Sequence, residues 1–295
     1  MKIGILGQGR WGITIKKLLE ENNYEVLGFH HTDTSWGEKL DCLCVALPVQ
    51  HIRETLLRFP SPRCPVISLS KGLEIGTGKR ASEIIKDVWK DVIVGALSGP
   101  NFSEEILAGL PAASVVAAEE VNLGKFFQNI FHSKRFRVYR STDLVGVELG
   151  GALKNIYAIA GGLCYGLKLG ENAHASLLTR SLSEMTRLGT AAGGKMETFF
   201  GLSGVGDLLL TASSIKSRNF RLGARLAAGL SLNEAIAMEP TVIEGLPTTI
   251  SVYKSRLFTQ QKKPIADEIY RILYENKKIH ESVVDLLERR VGEED

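Results

Sequence analysis

Lys2-Ile3-Gly4-Ile5-Leu6-Gly7-Gln8-Gly9-Arg10-Trp11-Gly12 is an apolar run that enters a glycine-rich turn, the strongest signal in this chain. Gly7 permits the tight turn, Gly9 lets the backbone approach a pyrophosphate, and Gly12 lets the next helix pack against the strand. The unpaired N–H groups at the start of that helix attract an anion. Because residues 13–19 continue with a helical spacing of apolar side chains, this stretch predicts a dinucleotide-binding turn rather than a purely structural one.

Length and charge limit the class of protein. At 295 residues the chain is longer than one hydrophobic core usually supports, so we expect two domains. A composition of 44% apolar and 23% charged residues is ordinary for a globular protein. The net charge of +3 includes no long block of like charges, which argues against a nucleic-acid partner and favours small anionic ligands.

Cysteine spacing and apolar run length bear on location. The four cysteines form no Cys-x-x-Cys pair, so buried thiols in a reducing compartment are favoured over metal ligands, and we expect no metal site. No apolar run is long enough to span a bilayer, and the N-terminal residues show no secretory pattern. We therefore expect a cytoplasmic protein without a membrane span. The cysteines are Cys42, Cys44, Cys64 and Cys164.

The first half of the chain alternates strand-like and helical patterns. This alternation predicts a parallel, doubly wound α/β sheet of the Rossmann type over residues 1–143. From Leu144 onward helical spacing dominates, interrupted by glycine-rich joints, and it predicts an all-helical substrate-binding domain over residues 144–295. The predicted strands are 2–6, 25–29, 42–47, 66–70, 92–97, 113–117 and 136–139. The predicted helices between them, after the first, are 49–59, 81–89, 102–108 and 119–131.

The connection after the second predicted strand is unusually short. Only residues 31–40 separate it from the next strand region, which is near the lower limit for a complete crossover between parallel strands. The sequence therefore predicts that one strand and one helix usual in this fold are missing.

Polar residues that follow the predicted strands are candidates for chemistry, because ligands collect at the carboxyl ends of strands in open α/β sheets. Residues 45–48 either floor a nicotinamide pocket or are a strand end stopped by proline. Lys71 has two interpretations: a functional lysine that holds a phosphate or polarises a carbonyl, or an exposed lysine that is only solvated. Asn101 and Glu104 have the spacing of a capping box, so their segment either starts a plain helix or offers free amides to an anion.

Lys154 lies in a glycine-rich, otherwise apolar stretch of the second half. On a helix, Gly150 and Gly151 lie one turn before it and Ala158 one turn after, so its surroundings lack bulk. Two adjacent glycines cost about 1 kcal/mol each in a helix, which indicates that a ligand or a partner helix packs closely there. Because desolvation lowers the pKa of a lysine toward the range useful for proton transfer, we predict Lys154 as a general acid/base.

Three further segments of the helical half carry polar side chains. Asp207 and Thr211 share one helix face at i and i+4, so either they line a site or Thr211 bonds its own helix backbone. Residues 216–219 start a helix with a cap at Ser217, and they form either a phosphate trap with an arginine fork or an ordinary surface helix. Glu244 precedes a helix started by proline, where a carboxylate also stabilises the helix start.

Seven motifs occur in the order and rough spacing of a known family and cover nearly the whole chain. GGALKN followed by GDL-x-x-T and SRN is specific, whereas the glycine fingerprint is shared by many dehydrogenases. By these motifs the chain resembles the bacterial-type NAD(P)-dependent glycerol-3-phosphate dehydrogenase family. The motifs are GQGRWG at 7–12, SLSKGLE at 68–74, SGPNFSEE at 98–105, ELGGALKNIYAIAGG at 148–162, GVGDLLLT at 204–211, KSRN at 216–219 and VIEG at 242–245.

The resemblance implies a fold and a reaction. The fold would be a Rossmann-type domain followed by an all-α domain of the 6-phosphogluconate-dehydrogenase-like kind. The reaction would be reversible hydride transfer from NADH or NADPH to the C2 carbonyl of dihydroxyacetone phosphate, giving sn-glycerol 3-phosphate. A homodimer and a supply of glycerol phosphate for phospholipid synthesis are further implications of the family.

The resemblance also implies roles for individual residues. Lys154 would exchange the proton at the C2 oxygen, with Lys71 and Asp207 orienting the substrate and the lysine. The implied substrate contacts are Lys71, Gly99, Asn101, Lys154, Asp207, Thr211, Ser217, Arg218 and Asn219. The cofactor contacts, from the glycine turn and the resemblance together, are Gly7, Gly9, Arg10, Trp11, Gly12, Lys71, Ser103, Arg218, Val242 and Glu244.

Three features depart from the pattern usual in NAD enzymes or in this family. No acidic residue directly ends the second strand, where NAD enzymes often place one for the ribose hydroxyls; His30 and His31 stand there as cofactor contacts, with Asp33 just beyond. Partly cationic histidines suit a 2′-phosphate, so NADPH is favoured over NADH. The missing unit lies where the family usually builds the wall beside the adenosine. Asn101 replaces the serine or threonine more usual in the family.

Two other functions are compatible with parts of the sequence. One is another reductase of this architecture, acting on a hydroxy acid or a sugar nucleotide, and the anion site at residues 217–219 argues against it. The other is a nicotinamide-binding sensor that has lost turnover, for which the shortened first domain is the support. A lysine-to-alanine change at position 154 separates an enzyme from a sensor, because only an enzyme loses turnover.

Overall fold

The computed structural model describes residues 1–288, in which alternating strands and helices are followed by helices alone. The strands are β1 (Lys2–Leu6), β2 (Glu25–Phe29), β3 (Cys42–Val45), β4 (Val66–Ser68), β5 (Val94–Ser98), β6 (Ala112–Ala117) and β7 (Phe136–Ser141). The helices among them are α1 (Arg10–Glu21), α2 (Val49–Leu56), α3 (Ala81–Val88), α4 (Ser103–Leu107) and α5 (Val121–Phe131).

The second half is helical, which confirms the predicted fold class. A π-helical turn, Leu202–Gly206, directly precedes α9. Residues 289–295, the end of the predicted helical domain, lie outside the described residues. The helices are α6 (Leu144–Gly166), α7 (Glu171–Ala191), α8 (Met196–Phe199), α9 (Asp207–Ala212), α10 (Arg218–Ala227), α11 (Leu232–Ala237), α12 (Gly245–Lys254), α13 (Arg256–Thr259), α14 (Pro264–Tyr274) and α15 (Ile279–Leu287).

The strands form one sheet in the order β2-β1-β3-β4-β5-β6-β7. The strands from β2 to β5 in this order pair in parallel, as predicted. The predicted parallel pairing fails at one pair, β5 and β6, which are antiparallel. The physical reason is that α4 has only five residues and, at about 1.5 Å per residue, cannot carry the chain back along β5. The longer α5 does return the chain, so β7 is parallel to β6.

The sheet ends at β2, whose one described neighbour is β1. Residues 30–41 contain neither a strand nor a helix, which confirms the predicted loss of a strand and helix after β2. The chain crosses instead to β3, on the other side of β1. Strand order therefore reverses at β1, and the carboxyl ends of β1 and β3 flank the crevice in which such sheets bind ligands.

Trp36 anchors this short connection. Its buried ring stacks on Phe59 at a centroid distance of 4.3 Å and meets Phe29 edge-on at 5.1 Å. The ring also lies 5.9 Å from that of Trp89, and the indole N–H donates to the carbonyl of Pro60 over 2.9 Å. One aromatic side chain thus covers apolar surface at the shortened edge of the sheet and satisfies its own polar atom.

The helical half is organised around α6, which is buried along most of its length and contacts α7, α9, α10 and α12. A Cβ at Gly161 would lie 2.3 Å from the carbonyl oxygen of Ala212, and one at Gly162 would lie 1.9 Å from that of Phe220. At Gly150 the corresponding distance to a backbone oxygen is 2.5 Å. Close packing of protein therefore accounts for Gly150. A Cβ at Gly151 would instead lie 2.5 Å from Oγ of Ser98 and 3.4 Å from Cγ of Lys71, so for this glycine both explanations stay open.

Three features of the described residues concern the cysteines, membrane-spanning helices and metal-binding clusters. All four cysteines are buried and free. No described helix combines the length and the apolarity that a bilayer crossing requires. Within residues 1–288, no cluster of three or more histidine, cysteine or acidic side chains is arranged to hold a metal ion.

Candidate functional site

Asp207 joins two lysines that come from opposite halves of the chain. It is the first residue of α9, directly after the π-helical turn, and its side chain is buried. Its Oδ1 accepts from Nζ of Lys154 over 3.0 Å, and its Oδ2 accepts from Nζ of Lys71 over 2.6 Å. Lys154 projects from α6 and Lys71 follows β4. The charged cluster therefore lies where the carboxyl end of β4 meets the helical half.

Thr211, one turn after Asp207 on α9, completes the contacts of Lys154. Its hydroxyl accepts from Nζ of Lys154 over 2.7 Å and donates to Oδ1 of Asp207 over 3.1 Å. The alternative in which Thr211 bonds its own helix backbone is not observed. Within the described chain no third acceptor binds Nζ of Lys154, so one of its three N–H directions is available to a ligand.

The two charged partners respond differently to burial. Burial lowers the pKa of Lys154 to about 8; Asp207 opposes this change, whereas the positive charge of Lys71 adds to it. Burial alone would raise the pKa of Asp207, but the two lysines outweigh it and hold this pKa below its usual range. The site therefore combines a carboxylate that stays ionised with an amine that gains and loses a proton near neutral pH.

Lys71 is fixed through its side chain and its backbone. Its Nζ also donates to the carbonyl of Gly99 over 2.8 Å, and its own carbonyl accepts from Nδ2 of Asn155 over 3.2 Å. Oδ1 of Asn155 in turn accepts from Nδ2 of Asn219 over 2.8 Å. Sequence reasoning missed Asn155, although a carboxamide beside Lys154 on an otherwise apolar helix was the signal that could have found it.

The segment that begins α10 contains three predicted substrate contacts. Ser217 is the N-cap of α10, as predicted, and its hydroxyl accepts a backbone N–H of the first turn. Asn219 is buried, and its Oδ1 accepts the N–H of Gly245 over 2.9 Å. Arg218 is exposed and donates from Nη1 to the carbonyl of Val242 over 2.8 Å. The candidate anion site therefore adjoins the segment that was predicted to contact the cofactor.

Glu244 reaches across to the sheet half of the molecule. Its Oε1 accepts the N–H of Val49, at the start of α2, over 3.2 Å, whereas its Oε2 is buried without a hydrogen-bond partner in the described chain. Burial raises the pKa of Glu244 to about 7, although the Val49 N–H and the charge of Arg218 act in the opposite direction. A buried carboxyl oxygen without a protein partner is a candidate ligand contact.

The glycine turn has the backbone geometry that a dinucleotide needs. Gly7 has a φ of +109°, and a Cβ at Gly12 would lie 2.0 Å from the carbonyl oxygen of Gly7. Gly9 is the N-cap of α1, makes no side-chain cap, and has open space where a Cβ would stand. The first-turn N–H groups of α1 are thus unobstructed, and the residues present fit a pyrophosphate at this position.

Two predicted cofactor contacts lie on helices that face each other beside this turn. Arg10 begins α1, and its guanidinium forms an exposed ion pair with Glu104 of α4, with Nη1 and Oε1 2.5 Å apart. Ser103 is the residue before Glu104 and begins α4. Trp11, next to Arg10, is half-buried. The turn and the loop after β5 therefore meet at one edge of the sheet.

The capping box proposed for Asn101 and Glu104 is wrong. The N-cap of α4 is Phe102, and the carboxamide of Asn101 instead binds the neighbouring strand β6. Its Oδ1 accepts from the hydroxyl of Ser114 over 2.6 Å, and its Nδ2 donates to the carbonyl of Ala113 over 3.2 Å. The antiparallel β6 returns beside this loop, and its polar groups compete successfully for the side chain.

His30 and His31 are placed apart from the lysine cluster. Both are exposed at the carboxyl end of β2, with ring centroids 4.1 Å apart. In the sheet, β1 and β3 lie between β2 and β4, the strand that Lys71 follows. The predicted contacts therefore extend along the carboxyl edge of the sheet, with the histidines at one end and the lysines toward the middle.

The sheet is of the Rossmann type and has a glycine-rich turn at its switch point, and the helical half presents the buried Lys154 and Asp207 to the same edge. This combination is that of a two-domain NAD(P)-dependent dehydrogenase. Family models described as the C-terminus and the N-terminus of NAD-dependent glycerol-3-phosphate dehydrogenase match residues 143–284 and 34–123. The chain belongs to the NAD-dependent glycerol-3-phosphate dehydrogenase family.

Individual relatives match over their full length. Glycerol-3-phosphate dehydrogenase [NAD(P)+] of Syntrophotalea carbinolica is 37% identical over 332 aligned positions, covering 100% of this chain and 99% of the relative. The enzyme of the same name from Thermotoga sp. is 37% identical over 321 positions, covering 100% and 99%. The crystal structure of glycerol-3-phosphate dehydrogenase from Coxiella burnetii has a TM-score of 0.91 and 32% identity, covering 98% of this chain and 99% of that one.

The alignment lengths also bear on the shortened connection. The alignment with the Syntrophotalea carbinolica relative has 332 positions, whereas this chain has 295 residues. At least 37 aligned positions are therefore gaps in this chain. This difference agrees with the absence of a strand and a helix after β2.

Proposed function

We propose that the protein catalyses the reversible reduction of dihydroxyacetone phosphate to sn-glycerol 3-phosphate with NADH or NADPH. The observation that carries the proposal is the hydrogen-bonded cluster of Lys154, Asp207 and Lys71 at the carboxyl edge of the sheet. The relatives named for this activity, at 37% identity over the whole chain, support the same conclusion.

Lys154 is the general acid/base of this proposal. Reduced nicotinamide, when bound, supplies the hydride. In the direction of reduction, the protonated Nζ of Lys154 gives a proton to the C2 oxygen, and in the direction of oxidation the neutral amine takes it back. Asp207 and Thr211 hold Nζ in place, and a pKa of about 8 makes both protonation states accessible.

The remaining predicted contacts divide between substrate and cofactor. Arg218, at the start of α10, supplies a guanidinium, and the first-turn N–H groups of α10 that the Ser217 hydroxyl does not cap lack helical partners; together they suit a phosphate. Lys71 carries a second positive charge beside the reacting carbonyl. Gly99, Asn101, Ser217 and Asn219 are proposed to complete the substrate contacts.

The cofactor is proposed to lie along the carboxyl edge from the glycine turn to Glu244. The open N-terminus of α1 suits the pyrophosphate, and the unpartnered Oε2 of Glu244 suits a group at the nicotinamide end. Arg10, Trp11, Ser103 and Val242 are proposed as the contacts between them. His30 and His31, at the end of β2, favour the 2′-phosphate of NADPH.

The experiment is to follow nicotinamide absorbance with purified protein, dihydroxyacetone phosphate, and NADPH or NADH in parallel. Glyoxylate and ketopantoate serve as control substrates for the hydroxy-acid alternative. Oxidation of the cofactor with dihydroxyacetone phosphate alone is the expected result. Cofactor binding without any oxidation would contradict the proposed enzyme and favour the nicotinamide-binding sensor. Oxidation with glyoxylate or ketopantoate instead would contradict dihydroxyacetone phosphate as the substrate.

The organisation of the protein is part of the same proposal. We take residues 1–143 as the cofactor domain and 144–295 as the substrate domain of a cytoplasmic homodimer that supplies glycerol phosphate for phospholipids. The helical half exposes large apolar side chains, among them Tyr165, Phe200 and Ile215, and burying them is what the proposed interface between two copies would do. Light scattering after size-exclusion chromatography tests the dimer.

A further inference from the structure

The four residues that follow β2 fold back on the end of the strand. The N–H of Asp33 donates to the carbonyl of His30 over 3.0 Å, which closes a turn. In return, the N–H of His30 donates to Oδ2 of Asp33 over 2.7 Å. The ring Nδ1 of His30 lies 2.9 Å from the hydroxyl of Thr32. These contacts bring a carboxylate from three residues farther along the chain back to the first residue after β2.

The sequence placed Asp33 beyond this position, so the structure changes the interpretation. An acidic side chain does stand at the carboxyl end of β2, where Rossmann enzymes that use NAD hold the ribose hydroxyls. Asp33 is exposed, and within the described residues its second oxygen, Oδ1, has no hydrogen-bond partner. One carboxylate oxygen is therefore free to accept from a hydroxyl, and its negative charge lies next to His30 and His31.

The shortened fold fixes this turn while leaving it uncovered. No described strand lies outside β2, so nothing from a third strand and helix covers residues 30–33. Three residues after Asp33, the buried Trp36 anchors the connection by its bond to Pro60. The turn is thus held between the end of β2 and a buried ring, which limits how far Asp33 can move from the strand end.

We propose that Asp33 is a cofactor-specificity residue that counteracts His30 and His31. The histidines attract the 2′-phosphate of NADPH, whereas the carboxylate repels it and accepts from the ribose hydroxyls of NADH. Asp33 thereby allows the protein to use NADH as well as NADPH. This inference rests on the proposed function, because it concerns the nicotinamide cofactor of that reaction.

The test is Asp33→Asn, which keeps an oxygen for the His30 N–H and removes only the charge. The dissociation constants of NADPH and NADH are measured by calorimetry without substrate, so the readout does not depend on turnover. Loss of the repulsion should tighten NADPH binding, so the ratio of the NADH Kd to the NADPH Kd should rise about tenfold, equivalent to about 1.4 kcal/mol. A His30→Gln, His31→Gln double variant should move the same ratio in the opposite direction.

Asp41→Asn is the matched control. Asp41 lies in the same connection and also accepts a backbone N–H through its carboxylate, that of Lys2 over 2.8 Å, but at the amino end of the sheet. The Asp41→Asn substitution removes the same charge as Asp33→Asn and should leave the ratio of the NADH Kd to the NADPH Kd within about twofold of the wild type.

Two results overturn the inference. One is a Kd ratio in Asp33→Asn that stays within about twofold of the wild type while both cofactors bind. This result would contradict the role of Asp33 but not the proposed function. The other is an equal shift in Asp41→Asn, which would reduce the effect to net charge. Wild-type protein that binds neither cofactor would instead remove the proposed function and this inference together.

Discussion

The carboxylate of Glu148, within α6, accepts the backbone N–H of Ser82, near the start of α3, over 2.8 Å. The hydroxyl of Ser82 and Nη1 of Arg80 each donate to the second oxygen of Glu148 over 2.5 Å. Burial raises the pKa of Glu148, although Arg80 and Ser82 lower it. A buried charge on the central helix thus satisfies the first turn of a helix that packs on the sheet and connects the two halves of the molecule.

Glu148→Ala should lower the free energy of unfolding by about 3–5 kcal/mol, because it leaves the largely buried Arg80 and the first-turn N–H of α3 without their partner. Chemical denaturation monitored by circular dichroism measures the change. Glu119→Ala is the control, since Glu119 forms an exposed pair with Lys86 and should cost about 1 kcal/mol or less. Equal losses in the two variants would contradict a capping role for Glu148.

Lys154→Met should lower kcat about 10²–10⁴-fold, the usual contribution of a general acid/base. The Kd of NADPH should stay within about threefold of the wild-type value, because the proposed cofactor contacts lie on other residues. Steady-state kinetics and calorimetry measure the two quantities. Lys86→Met removes an exposed lysine as a control. Turnover that survives the change at Lys154 would remove its assigned role.

The pH dependence should follow the pKa of about 8 for Lys154. Reduction needs the protonated amine and should decline as the pH rises through about 8, whereas oxidation needs the neutral amine and should increase over the same range. Because Asp207 raises this pKa, Asp207→Asn should move both limbs to lower pH. Profiles of kcat/KM against pH in both directions measure this shift. Limbs that stay in place would show that another group titrates.

Glu184 should make the protein less stable as the pH rises. Its carboxylate is buried and accepts the N–H groups of Ile265 and Ala266, and burial raises its pKa from 4.5 to about 7. The folded state then binds more protons than the unfolded state between these values, so stability falls from about pH 4.5 to about pH 7.

Glu184→Gln should reduce this fall by on the order of 3 kcal/mol, which corresponds to the shift between the two pKa values. Denaturation curves at several pH values, wild type against variant, give the difference directly. The comparison is needed because Glu244, whose pKa is also raised to about 7, contributes in the same direction. Parallel curves for the two proteins would exclude Glu184 as a source of the pH dependence.

Trp36→Ala should cost about 3–5 kcal/mol of stability, because it opens a cavity among Phe29, Phe59 and Trp89 beneath the short connection from β2 to β3. Denaturant midpoints measure the loss. Tyr139→Ala, at an exposed position of β7, serves as the control and should change stability by less than about 1 kcal/mol. A similar cost for both substitutions would contradict the anchoring role of Trp36.

The features that could be predicted were local in the chain. The turn at residues 7–12 follows from the backbone freedom and small size of glycine. The missing unit after β2 follows from counting residues, since ten cannot hold both a helix and a strand. The alternation of β and α, and then helices alone, follows from the spacing of apolar side chains. In each case the physical cause acts within about a dozen neighbouring residues.

Contacts between distant residues depended on the folded chain. Asn155 meets Asn219 across 64 positions, and Glu148 meets Ser82 across 66, so no local pattern announces either bond. The antiparallel β6 and the return of Asp33 to the end of β2 depend on how far a short segment reaches once its ends are fixed. Periodicity and glycine chemistry are properties of the chain itself, whereas partners, burial and the pKa values they produce arise only when packing brings separate segments together.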